Sequence, residues 1–232
     1  MAGTCFPFHL GRRERASERT RGLDASLLAG QQPLPLEFYR KPTLTVATDL
    51  IGCYLHRVVN VDSLPAKARE VAAEEAVDGR VELVGRIVET EGYLGANDDA
   101  AHTYRGPTPR TQVMFGPPGH AYVYLIYGMY WCLNIVTEEA GVGEAVLVRG
   151  LEPVQGRDVM RALRGGRKQI ADGPGKLCQA LDITGALNKV SLLGDQLFVT
   201  GRTGPASWET TPRIGIDYAE KHRDELWRFV AT

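Results

Sequence analysis

The stretch Ala121–Val136, AYVYLIYGMYWCLNIV, decides how the rest of the chain is read. It holds Tyr122, Tyr124, Tyr127, Tyr130 and Trp131, five of the eighteen aromatics in a chain of 232 residues. Aromatic runs favour strands. The Gly128-Met129 pair breaks this one in the middle, so a β-hairpin is expected. Side chains alternate across a strand. Tyr122 and Tyr124 therefore share one face, with Ala121, Val123 and Leu125 on the other. Beyond the turn, Tyr130, Cys132 and Asn134 oppose Trp131, Leu133 and Ile135. One face is apolar and belongs in a core. The other is aromatic with an amide, suited either to stacking on bases or to cross-strand packing. Both readings stand at this point.

Working outward, LEFYRKPTLTVATDLIG reads as a helix, with Thr43 as N-cap, Leu44, Ala47, Leu50 and Ile51 at helical spacing and Gly52 as the stop. CYLHRVV reads as a strand. Between Asn60 and Gly85 lies an Ala- and Glu-rich polar insert, a loop or short helix. VELVGRIVETEGYLG and GEAVLVRGLEPV are strands, GRDVMRALRGG and GKLCQALDI short helices, and DQLFVTGR and RIGIDYA late strands or turns before LWRFV. The irregular alternation predicts a mixed α/β domain with a largely antiparallel sheet. Residues 1–33 are expected to be a mobile, mildly basic arm, and 34–232 the domain.

The length allows a sizeable core without staples. Four cysteines without a CxxC pair argue against a zinc site or a disulfide framework. No apolar run approaches the roughly 20 residues that span a bilayer, so no membrane partner is expected. The net charge of −1 hides an asymmetry: Arg149–Lys176 has seven bases against three acids, whereas Val61–Gly85 has six acids against three bases. A phosphate-binding face and an ordinary solvated face both fit that asymmetry. Nucleotide-cradling glycine motifs are absent.

Glu89 and Glu91 fall on one face near the end of a strand, suited to a rim carboxylate or to a charged edge strand. Asp98, Asp99 and His102 lack the ligand number and spacing of a metal site, so no metal is expected. RGPTPR, with Arg105, Thr108 and Arg110, is a rigid, acid-free basic turn that suits phosphate or a plain surface loop.

Six blocks in order, RIVETEGYLG, AAHTYRGPTPR, MFGPPGHAYVYLIYGMYWCLN, AVLVRGLEP, GPGKLCQALDI and PRIGI, resemble the alkyladenine (3-methyladenine) DNA glycosylase family from about Leu36 to Val230. The resemblance implies an α+β fold: one mixed domain with a curved antiparallel β-sheet, surrounding helices and a protruding β-hairpin that enters DNA. It implies an enzyme that flips alkylated or deaminated purines out of double-stranded DNA and hydrolyses the N-glycosidic bond. Glu91 matches the general base and Arg149 the arginine that helps keep it ionised. Tyr93, Ala100, His102, Tyr124, Asn134 and Leu147 match the base pocket, with Asn134 disfavouring normal guanine. Tyr127 matches the wedge, with Met129 beside it, and Thr108, Arg110 and Lys176 match phosphate contacts. No lysine matches a Schiff-base nucleophile, so no strand cleavage is implied. No cofactor is implied, and a monomer is expected. Its compartment would be the bacterial cytoplasm (nucleoid) or the eukaryotic nucleus. The arm and the acidic insert near 66–82 fall outside the motifs. Gly92, often alanine in relatives, is expected to loosen its loop. Two rival classes remain at this stage: a single-strand-binding module without catalysis, and a metal-dependent hydrolase using Asp98, Asp99 and His102.

Overall fold

The computed structural model describes residues 31–232. The expected arm lies almost wholly outside the described residues. At its end the chain is already paired: Pro33 bridges to Thr200 and Leu34 N–H donates to the Val199 carbonyl.

Eight strands and five α-helices make up this part of the chain. The strands are β1 (Tyr54–Asn60), β2 (Arg80–Tyr93), β3 (Ala121–Ile126), β4 (Tyr130–Thr137), β5 (Glu144–Gln155), β6 (Leu197–Thr200), β7 (Trp208–Thr211) and β8 (Arg228–Ala231). The helices are α1 (Leu36–Tyr39), α2 (Thr43–Asp49), α3 (Ala66–Glu75), α4 (Arg157–Leu163) and α5 (Pro174–Ala180). The sheet runs β3-β4-β5-β2-β1-β6, with β8 pairing the end of β2 and β7 pairing β8. Every pairing is antiparallel. The fold is α+β, as the sequence led us to expect.

The long strand β2 is the spine. Its first half sends Val81, Leu83 and Ile87 into the core, and its second half carries Glu89 and Glu91. It pairs β1 with Tyr54 opposite Arg86, and β5 with Glu91 opposite Leu147. Register shifts on either side of Glu89 bend the ladder where the carboxylates emerge. Because β2 is interior, the charged-edge reading of the Glu89/Glu91 pair is ruled out. Helix α2 lays Val46 and Ala47 on this sheet, and Gly52 follows with a φ of +85°, a left-handed conformation that ends the helix.

Several expectations need correction. Thr43 does not cap α2. Its hydroxyl lies 2.7 Å from Thr137 Oγ1 and donates to the buried Glu144 carboxylate at 2.6 Å, a group that needs a donor more than the helix does. The polar insert takes the short-helix alternative as α3, and β2 begins at Arg80, one residue before the expected VELVG, so the strand takes up the last residues of the insert. Val77 and Arg80 close a tight turn around Asp78-Gly79, both with positive φ. Asp-Gly is the pairing such turns favour. RIGIDYA takes the turn alternative, and the strand Trp208–Thr211 was not expected. Gly92 is not a loosening element. It lies inside β2, and a Cβ there would come within 2.6 Å of Leu44 Cδ2.

The hairpin is β3 and β4. Tyr122 faces Asn134, Tyr124 faces Cys132 and Ile126 faces Tyr130. Val123, Leu133 and Ile135 are buried as expected, but Leu125 is exposed, because the hairpin extends beyond the core there. The tight pair at the tip is Tyr127-Gly128, with φ of +53° and +69°, not Gly128-Met129. Met129 N–H closes the turn onto Ile126 O at 3.2 Å. Among the described residues no helix is long and apolar enough to cross a membrane.

Candidate active site

The interior of β2 carries Glu91 into the protein beside Tyr93 and Arg149. The residue is fully buried. Its Oε2 accepts from Tyr93 Oη–H at 2.9 Å and from Arg149 Nη1 at 3.2 Å, and its Oε1 accepts from the Ile214 N–H at 2.8 Å. A carboxylate can accept about four hydrogen bonds, so Oε1 keeps capacity for one more donor. Burial raises the pKa of Glu91. The Arg149 charge, the Ile214 N–H and the Tyr93 hydroxyl oppose that rise, and burial prevails. The expectation that Arg149 simply holds Glu91 ionised is thus only half of the balance. Arg149 is itself shared: its Nε donates to Glu89 at 3.0 Å, and Glu89 also takes Arg228 Nε at 2.6 Å.

The three partners of Glu91, namely Tyr93, Arg149 and Ile214, line a cavity of about 640 Å³, within the usual range for a small-molecule site. Tyr93, Ala100, His102, Tyr124, Tyr127, Asn134, Leu147, Arg149 and Lys176 all line it. The hairpin's aromatic face supplies one wall: Tyr122 and Tyr124 stack with centroids 5.3 Å apart, and the His102 ring meets Tyr124 edge-on at 4.6 Å. Asn134 is buried and donates from Nδ2 to the Tyr122 carbonyl at 3.2 Å, which fixes its amide against the sheet. His102 Nδ1 lies 3.1 Å from Tyr122 Oη, and Arg110 Nη2 lies 3.2 Å from His102 Nε2. Burial of the ring, then the Arg110 charge, pushes the His102 pKa down to about 4, so the ring is neutral at pH 7.

The opposite wall is the 213–219 segment, carrying Ile214, Gly215, Ile216 and Tyr218. Arg213 anchors it. That guanidinium grips the buried Asp98 carboxylate, donates to the Gly92 carbonyl at 3.0 Å, and sits 4.7 Å from the Tyr93 ring and 4.8 Å from that of Trp227. Asp98 also accepts the Leu94 and Ala100 N–H groups. Asp99 accepts from the Lys221, Glu220 and His222 N–H groups, which hold its carboxyl well below the usual range, and it pairs with His222 Nδ1 at 2.9 Å. The one carboxylate–histidine cluster among the described residues is therefore Asp98, Asp99 and His222, not His102, and its oxygens are already occupied by protein donors.

The sequence profile of methylpurine-DNA glycosylase matches residues 73–232. The chain belongs to the methylpurine-DNA glycosylase family. Among its relatives, one from Methanocella arvoryzae is 49% identical over 200 residues, covering 84% of this chain and 90% of the relative. One from Alkaliphilus oremlandii is 44% identical, covering 84% and 94%, and one from Legionella pneumophila (strain Lens) is 43% identical, covering 84% and 92%. All three are provisionally named 3-methyladenine DNA glycosylases.

In this glycosylase-family fold, the pocket residues expected from sequence line one cavity, and Glu91 is bonded to three of the lining residues, Tyr93, Arg149 and Ile214. Of the five expected DNA contacts, Tyr127 and Lys176 line the cavity, and three, Met129, Thr108 and Arg110, do not. Met129 is exposed and lines a smaller neighbouring cavity with Tyr130 and Trp131. Thr108 is tied to Thr111, with their hydroxyls 2.9 Å apart. Arg110 is folded back over Tyr124, its guanidinium 5.2 Å from the ring centroid. Lys176 pairs with Asp172 at 3.2 Å. Several lining residues were not expected: Met114, Arg164, Arg167 and the 214–218 segment. Tyr122 and Cys132 share the hairpin face of Tyr124, so strand alternation alone could have placed them. The PRIGI block carried Arg213 and Ile214, but no periodicity marks an arginine as buried.

Proposed function

We propose that this chain is a base-excision-repair DNA glycosylase. In this reading it flips alkylated or deaminated purines (the 3-methyladenine, 7-methylguanine, hypoxanthine and ethenoadenine class) out of duplex DNA. It then hydrolyses the N-glycosidic bond with a Glu91-activated water and leaves an abasic site. Family membership supports the glycosylase activity on alkylated bases. The observation that carries the mechanism is the buried Glu91 carboxylate, held by three donors whose residues line the aromatic cavity, with one acceptor position left on Oε1.

The steps follow from that geometry. A flipped base enters between Tyr93 and the Tyr124/His102 wall, where stacking contributes roughly 1–3 kcal/mol. Electron-poor or cationic alkylated purines gain more from these ring faces. The Asn134 amide and Leu147 set the shape of the pocket floor. Glu91 removes a proton from a water that attacks C1′, the bond to the base breaks with its electron pair leaving on the base, and Glu91 holds the proton. The exposed Tyr127 at the hairpin tip fills the gap in the duplex. Lys176 is held by Asp172 and Gln169, which favours base removal without strand cleavage over a lysine-based lyase step.

The test compares wild type with Glu91→Gln on a duplex containing hypoxanthine or 3-methyladenine. Loss of about 10²–10⁴-fold in single-turnover rate is expected, the range for a positioned general base. Equal release by both proteins would remove Glu91 from the mechanism. Binding by both with release by neither would favour a module that stacks bases without catalysis.

A further inference from the structure

On the rim of the cavity, where α4 and α5 approach it, Arg164, Arg167 and Lys176 line the same space as the aromatic wall. Their situations differ. Lys176 has Asp172. Arg167 is open to solvent. Arg164 is only 4% exposed, yet it forms no ion pair among the described residues. Its Nη1 donates to Gln179 Oε1, and its Nε is buried without a partner. Two acids on this segment are already engaged, Asp158 with Arg161 and Asp172 with Lys176. Burial, then the neighbouring Arg167 charge, lowers the Arg164 pKa, and the opposing pull of the more distant Asp172 does not offset them. A covered guanidinium with an idle donor and no ion pair is unfavourable. It becomes favourable once an anion completes it.

We propose that Arg164, with Arg167 beside it, is a binding site for one backbone phosphate of the nucleotide whose base enters the pocket. The proposal rests on the base-flipping reading above. The guanidinium fork matches two oxygens of a phosphodiester. The location selects a nearby linkage: Arg164 shares one cavity with Tyr124, so a nucleotide seated there carries its own phosphates past this rim. Compensation of Arg164 would then come only with DNA in place, and the site would contribute to holding the nucleotide extruded.

The experiment is a cycle between protein and DNA. Hypoxanthine duplexes are prepared with a single neutral methylphosphonate at each linkage around the lesion in turn. Half-saturation and rate of single-turnover release are measured for wild type, Arg164→Gln and Arg164→Lys. On the unmodified duplex, Arg164→Gln should weaken half-saturation by about ten- to a hundredfold, the usual cost of one charged hydrogen-bonded contact. That loss should vanish on the duplex neutral at one particular linkage and persist on the others. Arg164→Lys should recover part of it. An equal loss on every duplex would overturn the proposal, since a purely structural arginine is blind to which phosphate is neutral. Should Arg164→Gln fail to fold, the exposed Arg167→Gln carries the same cycle with the same two outcomes. Wild type that releases neither hypoxanthine nor 3-methyladenine from an unmodified duplex would refute the glycosylase reading itself, whereas release with additive losses would refute only the phosphate site.

Discussion

At the scale of the single residue, the decisive fact is the tension around Glu91. Three donors favour its charged form, and burial outweighs them. A general base must be ionised, so activity should fall as pH drops through a pKa lying above the ordinary carboxylate range of roughly 4 to 4.5. Arg149→Gln removes the largest influence opposing burial, and the acid limb of kcat/KM should move further up; an unmoved limb would show that another group sets it. The sign for stability is the reverse of the usual carboxylate. The fold favours neutral Glu91, so this group costs stability as pH rises from the unfolded pKa to the folded one, and no more beyond it. The carboxylate, its arginine and its tyrosine were legible as motif residues. That burial prevails was not, because the depth of β2 depends on β1, β5 and β8 packing on both sides of it.

At the scale of the element, the hairpin joins a packed base to a strained tip. Val123, Leu133 and Ile135 anchor it, while Tyr127 is 79% exposed in a left-handed conformation that non-glycine residues avoid. Tyr127→Gly should therefore raise stability by about 0.5–1 kcal/mol, read as a higher melting temperature, while lesion release from duplex DNA falls. A lowered melting temperature would mean that the tip packs on something. Alternation predicted which residues face the pocket, since it depends only on backbone geometry. It placed the turn one residue late, because Gly128-Met129 looked like the break and only the φ values single out Tyr127-Gly128. Likewise the Thr43 hydroxyl matched a helix cap by position, but its partner Glu144 is more than a hundred residues away, and no local signal reports that pairing.

At the scale of the whole molecule, the pocket is assembled from unlike parts. The antiparallel sheet supplies one, and the 100–114 and 164–176 segments supply others. Another is the 213–219 segment, pinned by the fully buried Arg213–Asp98 pair. Asp98→Asn should cost about 3–5 kcal/mol in thermal or denaturant unfolding, because it leaves Arg213 buried without its counter-charge. It should also slow base release, since Ile214 and Tyr93 both lean on Arg213. A loss below 1 kcal/mol would show that Arg213 finds another partner. Sheet composition and antiparallel character were readable from strand periodicity, whereas this clamp joins residues 115 positions apart and was not. The interior position of β2 has a consequence for how the site behaves in time. Backbone groups around Glu91 are held by ladders to β5 and β8, so their amide hydrogens should be among the slowest to exchange. The 213–219 segment has no ladder and is held instead by the Arg213 clamp and by the Ile214 and Tyr218 contacts. The base's chemistry would thus be fixed by backbone pairing, and the wall it must pass by side-chain clamps alone.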